Sequence, residues 1–251
     1  RAGGRLMLHY VLTRAAYPAS YPLEANRRRL ELTRHVTARS LAAQAERHFR
    51  WVVTIDPADP LLGERMDVLE TAGVPVIAVP INQRHDPAGI VQDGRLEADV
   101  DTRPGGPWRR AISADAGDER RIVTTRLDDD DALASDALAR VRRQVEPSGL
   151  TGPTAWVMPS GYRWHAGRIQ PMTHLTNMFI TLDAPAGHTV MEVKHNAIRE
   201  HCPVKYLDRS PGWLWVRHAD TRSGFRVAQQ RLRPDVASLF AIDWGYLGAL
   251  A

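Results

Sequence analysis

The chain has 251 residues, 43% hydrophobic and 25% charged, which is enough apolar material for a sizeable core in one large α/β domain and too balanced for a disordered or fibrous chain. Its one cysteine, Cys202, excludes an intrachain disulfide and any cysteine-based metal cluster. The net charge of +4 is carried by arginine, Lys194 and Lys205 being the only lysines; scattered arginines and 7% aromatic residues do not make the stacking groove of a nucleic-acid binder.

The elements alternate along the chain. LMLHYVLT, Leu6 to Thr13, is a short apolar run suited to a buried strand. The following helix places Leu23, Leu30, Val36 and Leu41 at helical intervals with arginines between them. RWVVTID reads as a second strand, the stretch from Pro60 to Gly73 as a helix, and VPVIAVP as a third strand bounded by prolines. This β-α-β-α-β order implies a parallel sheet. Residues 81–117 lose periodicity, apart from a short helix near Trp108, as functional loops do. RIVTTRL is a fourth strand, and DALASDALARVRRQVEP a helix ended by Pro147 and Gly149. TAWVMPSGYRWHAGRIQPM reads as a hairpin with a His-Ala-Gly turn, presenting Tyr162, Trp164 and His165 either to a sugar ring or to cross-strand packing. No apolar run approaches the ~20 residues of a bilayer span, and RAGGRLMLHYVLTR has too short an apolar centre for a secretory signal. The expectation is a cytoplasmic protein, soluble or membrane-peripheral.

Four aspartates, Asp128 to Asp131, follow the fourth strand directly. Adjacent like charges repel more strongly as water is withdrawn, so a cation is expected beside them. In open α/β sheets ligands collect at the carboxyl ends of strands, where acidic side chains can hold a hard divalent cation. Helix capping would use one or two of the four and leave the rest unexplained. Thr13 and Arg14 end strand one and Asp56 ends strand two, so a parallel sheet brings all three to the aspartates' edge. Asp56, before Pro57, is equally suited to a turn.

HYVLTR, WVVTID, TTRLDDDDALA and WLWVRHADTRSG, in an order and spacing that cover most of residues 6–224, resemble the rhamnosyltransferase family of bacterial glycosyltransferases and, more widely, the GT-A fold of nucleotide-sugar-dependent enzymes. The resemblance implies a GT-A-like, mostly parallel sheet flanked by helices in one domain over 1–251. Residues 1–131 would be the nucleotide-sugar half, and 132–251 the acceptor half with its hairpin. It implies transfer of a sugar, rhamnose in the family's name, from a nucleotide-diphosphate sugar to a hydroxyl of a glycan, lipid-linked or small-molecule acceptor, with inversion. It also implies Mn²⁺ or Mg²⁺ held by Asp130, with Asp128 near it or near the ribose, Asp131 orienting, and His218 completing the metal side. Asp129 is expected to point away if the backbone stays extended. Arg109 or Arg110 and Arg222 are expected at the phosphates, and Thr13, Arg14 and Asp56 at the nucleoside.

The family's acidic base position reads His195-Asn196 here, so the catalytic base is expected to be His195, then Asp183, then Glu192. Two other classes share some of these features. A metal-dependent hydrolase or phosphatase would want short-spaced histidine pairs, and no His-x-His or His-Glu-x-x-His occurs. A non-catalytic sugar- or nucleotide-binding module would need neither the aspartates nor His218.

Overall fold

The computed structural model of the protein describes residues 7–17, 19–81, 84–85, 91–92, 106–149, 151–218, 230–231 and 233–250. In chain order the elements are β1 (Leu8–Arg14), α1 (Leu23–Leu32), a π-helical turn (Thr33–Thr37), α2 (Ala38–Ala42), β2 (Phe49–Ile55), α3 (Leu62–Glu70) and β3 (Val76–Pro80). A ribbon of β4 (Arg84–His85) and β5 (Val91–Gln92) precedes α4 (Gly106–Ala116), β6 (Arg121–Arg126), β7 (Ala132–Leu133) and α5 (Ala137–Val145). The second half holds β8 (Thr154–Val157), β9 (Ser160–His165), β10 (Arg168–Thr173), β11 (Ile180–Pro185), β12 (Val204–Tyr206), β13 (Trp213–Arg217), β14 (Gln230–Arg231), α6 (Pro234–Ala237) and α7 (Trp244–Ala249).

The main sheet has seven strands in the order β12-β8-β11-β6-β1-β2-β3. β6, β1, β2 and β3 run parallel, as does the β12–β8 pair, while β11 is antiparallel between β6 and β8. The expected architecture, a mostly parallel sheet flanked by helices, is therefore present. Its central strands are buried on both faces, which explains their continuous apolar reading. Val11, Trp51 and Val53 face one core with α1, α3 and α5; Tyr10, Leu12 and Val52 face another with Trp108 and Ile112 of α4.

A second sheet, β14-β10-β9-β13-β7, stands beside the first. β9 and β10 form the expected hairpin, with Ala166 and Gly167 at positive φ in its turn. Gly161 is obligatory here for a different reason: a Cβ would come within 2.1 Å of the Trp213 ring. Trp164 is buried in the core and Tyr162 meets Phe240 edge-on, so at these two positions cross-strand packing prevails over an exposed sugar platform. The helix read from Asp131 to Pro147 is shorter than expected. Ala132 and Leu133 pair with β13 instead, and α5 starts at Ala137.

His9 of β1 is buried with Nε2 2.8 Å from Thr125 Oγ1, and burial, reinforced by the charge of Arg142, pushes its pKa down to about 3. The folded chain then binds fewer protons than the unfolded chain between that value and the ordinary ~6.5. Stability contributed by this neutral imidazole is complete above ~6.5 and is lost as pH falls, at up to about 1.4 kcal/mol per pH unit. Urea titrations of His9→Gln against the unmodified chain between pH 7 and pH 4 should show the substituted protein losing less stability over that interval.

Candidate active site

β1, β2 and β6 end on one edge of the sheet, which gathers Arg14, Asp56 and the aspartate loop as expected. The loop is not extended. Asp131 donates its amide to the Asp128 carbonyl, 3.2 Å away, closing a turn over residues 128–131. The turn corrects the expectation that Asp129 points away from Asp130: both carboxylates face the same guanidinium. Arg29 Nη1 lies 2.6 Å from Asp130 Oδ2 and 3.1 Å from Asp129 Oδ1. The cation demanded by the acid run is thus supplied, at least in part, by the protein.

Each aspartate has its own setting. Asp128 is the most exposed of the four and takes Arg126 Nε and Nη2, each at 3.2 Å. Asp129 accepts the Tyr17 hydroxyl at 2.5 Å; burial pushes its carboxyl up to about 6 in spite of Arg29. Asp130 is equally buried, yet Arg29 and a hydrogen bond with His218 hold it below the usual carboxylate range. His218 Nε2 is 2.9 Å from Asp130 Oδ2. Asp131 Oδ1 accepts the Val216 amide at 2.8 Å, and burial with the charges of Asp130 and Asp128 drives its carboxyl well above the usual value. Asp131 therefore fixes the end of β13, and two residues later His218 reaches Asp130.

The helix beside the loop is built to hold it. Arg29 is followed along one face by Thr33, whose hydroxyl bonds the Asp129 carbonyl at 3.0 Å, and Thr37, which bonds the Asp131 carbonyl at 2.9 Å. Ser40 receives the Leu133 amide at 3.4 Å; Gln44 donates to the Ala134 carbonyl at 2.9 Å and accepts the Leu138 amide at 3.2 Å. The π-helical turn at Thr33–Thr37 lies in the middle of this row, where a change of helical pitch adjusts which residues face the loop. Behind it, Asn26, Asp59 and Arg65 close a buried triangle: Arg65 to Asp59 at 2.9 Å, Arg65 to Asn26 at 2.6 Å and Asn26 to Asp59 at 2.7 Å. The Arg65 guanidinium lies 5.0 Å from the centre of the Tyr17 ring, so this triangle also supports the phenol that holds Asp129.

The other expected site residues divide. His195 opens a 3-10 turn (His195–Glu200) and is half-buried within electrostatic reach of Arg126 and Asp128; burial, then Arg126, lower its pKa. Glu192 is taken by Arg109 at 3.1 Å and caps its own turn through the Thr189 amide, which also commits Arg109 to a carboxylate instead of leaving it for phosphate. Arg110, on the same helix, is exposed. Thr13 is fully buried and accepts the Trp51 indole at 2.9 Å, so its side chain serves the core. Asp56 Oδ1 takes the Ala58 amide at 2.8 Å, the turn role.

Asp183 is not at the site. It pairs in register with Val123 near the start of β6, the end opposite the aspartates, and Arg121 grips both its oxygens at 2.6 Å. Asp183 is a buried structural acid held by Arg121. Arg222 lies outside the described residues. Arg29, Tyr17 and Arg126 were missed; the polar row 29-33-37-40-44 on an otherwise apolar-faced helix was the available signal for the first. Among the described residues no three His, Cys, Asp or Glu side chains converge as a metal-binding group, and no helix is long and apolar enough to cross a membrane.

The family described as "Putative rhamnosyl transferase" matches residues 14–230. The chain belongs to that family. No curated protein matches the chain significantly. Among solved structures, residues 1–349 of S. aureus TarS in complex with UDP are 11% identical, with a TM-score of 0.45 over 84% of this chain and 61% of that one. The chain thus spans about three fifths of that protein's solved length. The T. maritima inositol-1-phosphate CTP transferase is 12% identical, with a TM-score of 0.41 over 84% of this chain and 89% of that one.

Removing the Arg29 charge should leave two buried carboxylates facing each other. Arg29→Met is expected to cost about 3–5 kcal/mol in chemical denaturation at neutral pH, and Arg29→Lys to cost less because one charge is kept.

Proposed function

We propose that the protein is a metal-dependent glycosyltransferase that moves a sugar, rhamnose by its family's description, from a nucleotide-diphosphate sugar to a hydroxyl acceptor with inversion. The observation that carries this reading is the Asp130–His218 contact of 2.9 Å at the carboxyl edge of the parallel strands. A carboxylate kept ionised by Arg29, beside an imidazole, is an oxygen and nitrogen donor set suited to Mn²⁺ or Mg²⁺. Such ions are commonly held by one or two protein groups together with substrate phosphates, so a pair of ligands suffices when the donor brings the rest. Asp130 and His218 would hold the ion, with Asp128, the most exposed acid, turned to the ribose or to a metal-bound water. When bound, the ion would supply positive charge to the leaving diphosphate.

The chain's own residues do the remaining work in this reading. Arg29, Tyr17 and Asp131 keep the acid loop rigid, so donor binding spends little on ordering it. Arg14 and Asp56, at the ends of β1 and β2, face the nucleoside side. His195 takes the acceptor proton; burial and Arg126 favour its neutral form, the one that can accept, and one base acting on the acceptor directly gives a single displacement and inversion. Asp183 is withdrawn from this role by its Arg121 clamp.

A thermal-shift screen of nucleoside diphosphates with and without Mn²⁺ tests the donor half, because a ligand of the folded state raises the melting temperature. Asp130→Asn and His218→Ala should abolish the metal-dependent part of the shift, and a nucleotide sugar incubated with the unmodified enzyme should release nucleoside diphosphate. Release of free phosphate from monoesters instead would point to a phosphatase.

The base assignment has its own test. His195→Ala should lower turnover by about 10² to 10⁴ with nucleotide binding unchanged, and the acid limb of the rate profile should lie below pH ~6.5. Turnover within a few-fold of the unmodified enzyme would remove His195 from the role.

A further inference from the structure

Tyr162 and Trp164 serve packing, and the aromatic ring that meets solvent is elsewhere. Among the described residues Tyr206 is the one tryptophan, tyrosine or phenylalanine that is exposed, at 42%. It ends β12, which runs parallel to β8. Both β8 and β6 are antiparallel to β11, so β12 ends at the same edge of the sheet as β6, the edge that carries the aspartates. Register also fixes the face. Tyr206 pairs with Val157 and Val157 with Ile180, and these two lie in the core shared with α4. Arg126 leaves β6 on this face as well, in step with Ile122, and Ile198 packs the turn His195–Glu200 onto it. Pairing continues past Tyr206 through the Leu207 amide to the Val157 carbonyl, 2.9 Å away, so the ring stands on a fixed backbone.

The turn connects this ring to His195. His195 opens the turn on the Arg126 side, and Arg199, four residues on, donates from Nη2 to the Tyr206 hydroxyl. The Arg199 guanidinium carbon is 5.9 Å from the ring centre, beyond the hydroxyl it bonds, so it holds the ring by its edge and leaves the faces open. Residues three apart eclipse in a 3-10 turn, which puts the exposed Asn196 on the side of Arg199 and His195 on the side of Ile198. At ~2.0 Å per residue, His195 and Arg199 are about 8 Å apart along the turn. Across the sheet, three strand spacings of ~4.8 Å put β6 and β12 about 14 Å apart. Such a separation exceeds one pyranose ring and suits two in sequence.

We propose that Tyr206, Arg199 and Asn196 form a second acceptor subsite, and that the acceptor is a glycan of at least two sugar units, the reacting unit at His195 and the next on the Tyr206 ring. A pyranose has an apolar C–H face, which an aromatic ring can cover, and a rim of hydroxyls, to which a guanidinium and a carboxamide offer hydrogen bonds. The ring is held at its backbone and at its hydroxyl, so a sugar that stacks on it spends little on ordering it. The inference rests on the transferase reading, which sets the reacting unit at His195.

The test compares glucose with the disaccharides maltose, cellobiose and laminaribiose as probes of the full chain by titration calorimetry, with nucleoside diphosphate affinity measured in parallel. At least one disaccharide should bind about tenfold or more tightly than glucose, the gain from one further stacked ring. Tyr206→Ala should remove that preference, and Tyr206→Phe, which keeps the ring and loses the hydroxyl, should retain most of it. The nucleoside diphosphate affinity of both variants should stay within about twofold of the unmodified chain. Unchanged melting temperatures establish that the variants fold. Equal affinity for glucose and all three disaccharides overturns the subsite. A Tyr206→Phe loss as large as that of Tyr206→Ala also overturns it, because the hydroxyl would then matter only as a tether for the turn. Failure of the unmodified chain to bind any nucleoside diphosphate would count against the transferase reading alone, since the disaccharide preference is read without a donor.

Discussion

The arrangement of this protein's functional edge depends on one guanidinium held between two carboxylates. Arg29 is the near neighbour of both Asp129 and Asp130, and without a cation there the turn that carries four aspartates would concentrate negative charge in a largely dehydrated corner. With it, the two acids separate in character. Asp129, which also accepts from Tyr17, is held less readily ionised, and Asp130, which faces His218, is held more so. Neighbouring residues of identical chemistry thereby acquire different tasks from their surroundings alone.

That guanidinium is placed by a helix whose polar face is as ordered as its apolar one. Thr33, Thr37, Ser40 and Gln44 bond successive backbone groups from Asp129 to Leu138, so the loop is fixed through its main chain while its carboxylates are held by other partners. Loop backbone needs partners when buried, and a row of short hydroxyl and amide side chains supplies them without adding charge. The buried Asn26–Asp59–Arg65 triangle holds the helix start and α3 to the same frame. This rigidity resembles what a catalytic site requires, where groups must stand in place before the reacting molecule arrives.

Much of this was legible in the chain and some was not, for identifiable reasons. The parallel strands were readable because burial on both faces leaves continuous apolar runs, and the shared edge of Arg14, Asp56 and the aspartates follows from their direction. The convergence of His218 on Asp130 followed from the resemblance, since nothing in local spacing links residues 88 apart. Asp183 misled because a buried acid in a strand reads the same whether it faces a substrate or an arginine; only the antiparallel register of β11 decides. Arg29 was hidden among neighbouring arginines, Arg27 and Arg28, since composition cannot tell the inward member of a triplet from the outward ones. The extended-loop expectation failed because a turn makes adjacent side chains neighbours where a strand would separate them.

The two sheets then divide the labour by direction. The parallel strands of the first bring their carboxyl ends to the edge that carries the aspartates, while β13 of the second sends two successive residues to opposite sides of the acid loop's anchor. His218 turns to Asp130, and Arg217 joins Arg163 on the far face. A strand alternates by geometry, so a single hydrogen bond from the Val216 amide to the Asp131 carboxylate sets both directions at once. Any shift of β13 by one residue would exchange the imidazole for the guanidinium at Asp130, a change of charge at a carboxylate that already faces one arginine. The anchoring aspartate is therefore as necessary to the arrangement as the acids that face Arg29, and its contribution is the register of a strand.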